Sequence, residues 1–188
     1  HISRMQKSLN IIKYLAFGGV FLTPFVVLVV SDSMFFPFIT GKNFAFRILV
    51  EIIAALWIVL MLFDARYKPK KSFIAVILAI FVVILASSSI FGENFYRSFW
   101  SNYERMEGLV TYLHLFAFFS ILTVFLKSEK TWKWFFHTSL GVSVMVGIYG
   151  ILQMAGKLTI HQGDRIDATL GNASYLAIYM AFNIFLAL

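Results

Sequence analysis

Two arginines stand in short polar segments just ahead of long apolar runs: Arg105 in FWSNYERMEGLVTYL (residues 99–113) and Arg165 in DRIDATLGNASYLA (residues 164–177). The chemistry this placement offers is anion binding. A helix N-terminus carries partial positive charge and unpaired N–H groups. A guanidinium fork can hold two phosphate oxygens at once. Arg105 precedes Gly108 and an apolar run, so both contributions would meet at one helix start, an arrangement that suits a diphosphate. Arg165 repeats the device: Gly171 permits a tight turn or close ligand approach, and Asn172 is suited to cap the next helix. The alternative is a salt-bridged loop, with Arg105 paired to Glu93, Glu104 or Glu107 and Arg165 satisfied by Asp164 or Asp167. Spacing alone leaves both readings open.

A third arginine lies inside an apolar run. Arg47 and Glu51 are four residues apart and share one helix face. An ionisable pair within a membrane span is costly and marks function by default. The alternative is a mutually satisfied pair, with Arg47 reaching outward along its stem. His161 stands alone in the polar segment 156–172, either as a surface residue or as a general base. His114 and His137 lie in or beside apolar runs, where packing or an interfacial position is expected. No catalytic residue is assigned. His/Asp/Glu spacing suggests no metal site, no Walker or dinucleotide glycine motif occurs, and no cofactor is expected. The absence of cysteine removes thiol and disulfide chemistry.

These residues must be positioned by a chain that is 60% hydrophobic and 13% charged, with 22 Phe. Soluble domains are about 45–50% apolar and about 25% charged. A spanning helix needs about 20 mostly apolar residues, and candidates fall at about 9–30, 44–64, 72–91, 108–126, 133–155 and 171–188. The runs are continuous and about twice the length of a barrel strand. Helices also satisfy their own backbone groups in lipid. The predicted fold is therefore all-α, a polytopic transmembrane helix bundle of about six spans. Residues 1–8 read as a cytoplasmic N-terminus whose opening HISR, before Met5, is an expression scar. Residues 9–188 read as a transmembrane domain that is incomplete at its C-terminal end, since the last run is still apolar at Leu188. The first run is too long for a signal h-region and lacks a small-x-small site before SDS at 31–33, so a retained helix is expected. Ser139, Ser143 and Gly147, and likewise Ala75 and Ala79, form small-residue stripes for helix packing.

Charge divides sharply between the two ends of these spans. The N-terminal side carries ten basic residues (Arg4, Lys7, Lys13, Arg66, Lys68, Lys70, Lys71, Lys127, Lys130 and Lys133) against Asp64 and Glu129. The other side carries five basic residues (Lys42, Arg97, Arg105, Lys157 and Arg165) against six acids. The positive-inside rule puts the first side in the cytoplasm. The pI of about 9.7 is then a topology signal rather than a nucleic-acid footprint, because the cations are spread over helix ends. The outward segments 31–43, 91–107 and 156–172 are longer, mixed and aromatic, as functional loops often are, although aromatics also belong to membrane-interface belts.

Trp100, Arg105 and Gly108 fit a W-x-x-x-x-R-x-x-G entry to a span, and Arg165, Gly171 and Asn172 fit an arginine followed by a G-N-P-N-like start to another. With FFPFITGKNFAFRILVEI at residues 35–52, the pattern resembles the O-antigen ligase family of polytopic membrane glycosyltransferases. Ala173 and Ser174 depart from the usual Pro and Asn. The resemblance implies metal-independent, inverting transfer of a glycan from undecaprenyl diphosphate to an acceptor lipid, glycan or protein. It implies a multi-pass protein of the bacterial inner membrane, part of cell-envelope and lipopolysaccharide assembly, with its working loops on the outer face. Arg165 and then Arg105 would bind the diphosphate, with Arg47, Glu51, Gly108, Gly171 and Asn172 in support. Family members have about a dozen spans and a large outer loop further along, so this stretch alone is expected to be inactive. A glycan polymerase of the same fold, a flippase for the same lipid carrier and a non-catalytic membrane scaffold are the rival readings.

Overall fold

The computed structural model describes residues 2–70, 72–102, 105–161 and 163–188, with the backbone alone for Ile2 and Ser3. His1 of the opening segment, the orienting charge Lys71, and Tyr103 and Glu104 beside Arg105 lie outside the described residues. Among the described residues the chain is helical throughout, with α1 (Ile2–Leu22), α2 (Thr40–Phe63), α3 (Phe73–Phe91), α4 (Phe95–Trp100), α5 (Leu109–Phe125), α6 (Glu129–Met154) and α7 (Ala173–Ala187).

Local chemistry sets most of the boundaries. Pro24 lacks an N–H and cannot continue an α-helix, so α1 gives way to a 3-10 turn over Thr23–Leu28. Ser72 caps α3 by accepting the Ala75 N–H, and Asn94 caps α4 by accepting the Arg97 N–H. Ser128 and Thr131 form a reciprocal capping box. That box starts α6 at Glu129, before the expected 133, and brings Lys130 into the helix ahead of Lys133. The segment 91–107, expected as an irregular loop, contains α4.

Among the described residues four helical stretches are long and apolar enough to cross a membrane: Arg4–Leu28, α2, α3 and α6. The apolar helices α5 and α7 have 17 and 15 residues. At about 1.5 Å per residue the longer of the two runs about 25 Å, against about 30 Å of hydrocarbon in a bilayer.

The chain divides into two compact units, with boundaries inside α1 and α2. The first comprises residues 1–20 and 46–127. Here α1 meets α2 closely at Gly19, where a Cβ would lie 2.7 Å from Ile53 Cγ1. Val50, Ile53, Leu60, Ile121 and Val124 form its buried core. In the same unit α3 packs on α5, with the Phe81 and Tyr112 rings 6.0 Å apart, and α4 touches both helices. Most of α3 is bare, with Phe73, Ile74, Ile80, Val83 and Ile84 exposed. Apolar area on that scale calls for an apolar surrounding or a partner.

The second unit comprises residues 21–45 and 128–188. Its α6 packs on α7 along part of the small-residue stripe. Ser139 Oγ donates to Asn183 Oδ1 at 3.1 Å, and a Cβ on Gly147 would lie 3.3 Å from Met180 Cε. Ser143 is buried and donates back to Leu140 O.

Candidate functional site

Arg47, Glu51, Arg105 and Gly108 belong to the first unit, and Arg165, Gly171 and Asn172 to the second. In the first unit the Arg105 loop leaves α4 through Ser101 at φ 65 and turns again at Met106, φ 52. The Asn102 carbonyl closes the turn by accepting the N–H groups of Arg105 (3.2 Å) and Met106 (2.8 Å). Gly108 then begins α5 with the α4 backbone pressed on it. A Cβ there would lie 2.7 Å from Ser98 O and overlap the Phe99 carbonyl, so no side chain fits.

Arg47 anchors this corner. It is 6% exposed, and its Nη2 donates to Met106 O and, at 2.8 Å, to Thr111 Oγ1. The Thr111 hydroxyl also donates to Met106 O at 3.3 Å. The residue next to Arg105 is thus held by a buried cation, while Arg105 itself is exposed. Among the described residues Arg47 and Glu51 form no ion pair. Glu51 Oε1 lies 3.0 Å from His114 Nε2, whose Nδ1 faces Val110 O at 2.7 Å. The expected mutual pair is corrected: each partner meets a group on α5 or its entry loop instead.

In the second unit the Arg165 loop is built around Asp167, which is 0% exposed. Its Oδ1 accepts Gln153 Nε2 at 2.7 Å and faces His161 Nδ1 at 3.3 Å, and its Oδ2 accepts the His161 N–H at 2.9 Å. Gln153 Nε2 also donates to Thr159 O, and its Oε1 accepts the Ala168 N–H at 2.8 Å. Burial opposes ionisation of Asp167, but hydrogen bonds from Gln153 and His161 outweigh it and hold the carboxyl below the usual carboxylate range. Lys42 ties the loop to its neighbours by donating to Val29 O (2.7 Å), Phe38 O (3.0 Å) and Thr169 O (2.6 Å). The His161 ring lies 4.7 Å from that of Phe38, so this histidine serves as a loop staple.

The loop ends at Gly171 with φ +64, where a Cβ would overlap the Phe38 ring. Both the left-handed backbone and the lack of space demand glycine. Asn172 Oδ1 then caps α7 by accepting the N–H groups of Ser174 (2.9 Å) and Tyr175 (3.3 Å). Arg165 is exposed, and among the described residues it has no hydrogen-bond or ion-pair partner. The expected alternative that Asp167 satisfies it is corrected: that carboxylate is turned inward to Gln153 and His161.

Sequence reasoning missed the roles of Lys42, Thr111, Gln153 and Asp167 and expected His114 only to pack or to sit at an interface. A faint signal existed for two of them. Gln153 is the lone long polar side chain in an apolar half-helix, and Lys42 is a single cation between two apolar runs.

Comparison with protein-family models, with curated proteins and with solved structures finds no match. The class that the fold defines is, over the described residues, an all-helical protein with four stretches long and apolar enough to cross a membrane.

Proposed function

We propose that this chain is a membrane glycosyltransferase of O-antigen ligase type, which transfers a glycan from undecaprenyl diphosphate to an acceptor at the outer face of the bacterial inner membrane. Six spans with a cytoplasmic N-terminus belong to the same proposal: α5 and α7 join the four longer stretches, and the bias of basic residues sets the orientation. Arg165 binds the diphosphate, Arg105 does so from its own loop, and Arg47, Glu51, Gly108, Gly171 and Asn172 hold the two loops in shape.

The observation that carries this reading is Arg165. Its guanidinium is exposed ahead of a capped helix, while the acid two residues on is buried and committed elsewhere. A loop that only needed internal neutrality would pair the two. In the reaction, an acceptor hydroxyl oxygen attacks the anomeric carbon from the face opposite the leaving group and releases its proton to water. The bond from that carbon to the diphosphate breaks and its electron pair leaves on the diphosphate. Guanidinium groups fixed before the reaction stabilise that growing charge.

Native mass spectrometry of the chain with undecaprenyl diphosphate, and with undecaprenol as the uncharged control, tests the binding step. The diphosphate is expected to be retained in preference, and Arg165→Gln is expected to weaken it roughly tenfold to a hundredfold, the range for losing one charged hydrogen bond. Equal retention of the two lipids, or equal binding by the variant, refutes the reading. In a protein that carries this stretch within a whole membrane domain, transfer that depends on added acceptor, as against flipping in acceptor-free vesicles, separates the transferase from a transporter.

A further inference from the structure

A cavity of about 220 Å³ opens in the first unit where the C-terminal ends of α2 and α5 come together. It has room for roughly seven waters at about 30 Å³ each. Arg66, Lys68, Lys70 and Lys127 line it with Thr123, over a floor of Val124 and Leu126. Among the described residues no carboxylate lines it.

Part of this wall is rigid. Arg66 is held by Asp64, Nε to Oδ1 at 3.0 Å and Nη2 to Oδ2 at 2.8 Å. Lys127 Nζ donates to Arg66 O at 2.6 Å and lies 5.4 Å from the centre of the Tyr67 ring. Trp57 Nε1 braces the same turn through Tyr67 O at 2.9 Å. Lys68 and Lys70 are exposed, and among the described residues their ammonium groups make no hydrogen bond or ion pair.

The positive-inside bias gathers cations at this end of the helices, and the helix dipoles balance only part of them. The two helix C-termini carry about half a negative charge each, and Asp64 neutralises Arg66. Lys68, Lys70 and Lys127 then leave an excess of about two positive charges, more than the single negative charge of a phosphate diester requires. The apolar side chains Leu62, Phe63, Phe73 and Ile74 flank the turn and are all exposed. Cations therefore stand at the end of a membrane-crossing stretch, with apolar surface directly below them.

We propose that this cavity binds the phosphate of an anionic glycerophospholipid, with the acyl chains lying along the apolar ends of α2 and α3. Basic pockets at the ends of membrane helices recognise lipid headgroups through this combination of cations and adjacent apolar surface. The site is separate from the arginine loops and does not depend on the glycosyltransferase reading.

The test is native mass spectrometry of the detergent-solubilised chain with equal amounts of phosphatidylglycerol and phosphatidylcholine. Wild type is expected to retain phosphatidylglycerol in preference. Lys68→Gln with Lys70→Gln breaks no side-chain bond of the wall and is expected to weaken that preference roughly 25-fold, about fivefold per lysine. Arg165-dependent binding of undecaprenyl diphosphate should be unaffected by the double variant. Equal retention of the two phospholipids by wild type overturns the proposal, as does an unchanged preference in the double variant. Complete displacement of phosphatidylglycerol by millimolar inorganic phosphate overturns the lipid assignment and assigns the site to free phosphate.

Discussion

Asp167→Asn tests whether a buried carboxylate holds the Arg165 loop. The substitution keeps the side-chain shape but leaves one acceptor oxygen where Asp167 has two. With that oxygen turned to Gln153 Nε2, the new NH2 group faces the His161 N–H, which the native Oδ2 accepts at 2.9 Å. Leaving that donor unpaired in a fully buried site costs about 1–3 kcal/mol, and turning the other bond from charged to neutral costs about 1 kcal/mol more. The expected loss is about 2–4 kcal/mol, which lowers the midpoint of thermal unfolding by roughly 5–15 °C for a chain of this size. The assay is thermal unfolding in detergent, with hydrogen exchange at the His161 and Ala168 amides as the local readout. The effect depends on pH with a defined sign. The native carboxyl is held below its ordinary value, so its contribution is complete above the unfolded value of about 3.9 and disappears as pH falls through the lower native value. Wild type should therefore lose its advantage over Asp167→Asn only below about pH 4. Equal stability of the two at neutral pH, or an advantage that survives protonation of the carboxyl, refutes the account.

Gly171→Ala combines a left-handed backbone with a Cβ that overlaps the Phe38 ring, so it should cost about 2–5 kcal/mol in thermal unfolding; a wild-type midpoint would show that Phe38 moves aside freely. Gly108→Ala meets the Ser98 and Phe99 backbone carbonyls rather than a side chain that can turn away; about 1–3 kcal/mol of destabilisation is expected, with faster exchange at the Arg105 and Met106 amides. Arg47→Met removes the charged donor to Met106 O and Thr111 Oγ1 but leaves the Thr111–Met106 bond. Its cost should be about 1.5–3 kcal/mol, accompanied by weaker binding of undecaprenyl diphosphate if the Arg105 loop must be fixed; unchanged exchange at Met106 would rule out the anchoring role.

Helical class was legible because apolar runs near 20 residues leave a backbone in lipid few other choices. Single-residue punctuation was legible in principle: Pro24 breaks α1, and Asn94 and Asn172 have the side chains that cap α4 and α7. The start of α6 was obscured because Lys130 and Lys133 look like loop by hydropathy, although they lie on the first turns of a capped helix. Aromatics hid α4 in a similar way, since a Phe- and Trp-rich stretch reads as an interfacial belt whether or not it is helical. Partner choice was not legible at all. Arg47 and Glu51 share a helix face, yet each is satisfied from α5 or its entry loop. Helical spacing says which groups can meet on one helix, but it carries no information about a closer partner arriving from elsewhere in the chain.

The two exposed arginines rest on buried ionisable groups of opposite sign. Arg47 fixes the carbonyl beside Arg105, and Asp167 fixes the His161 N–H four residues before Arg165. A mobile loop that closes on an anion must lose about 1–2 kcal/mol of backbone entropy for every residue it orders. With three or four residues ordered, that would offset most of what one or two charged hydrogen bonds provide at about 1.5–3 kcal/mol each. Glycines admitted only by close backbone approach, capped helices and buried hydrogen-bonded ions remove this cost at the folding step, leaving chiefly the guanidinium side chain to be ordered on binding. Substitutions at Arg47 or Asp167 should thus weaken anion binding without touching the anion. Their effect should also shrink when the loops are rigidified by other means, whereas removal of the Arg165 guanidinium should not be rescued in that way.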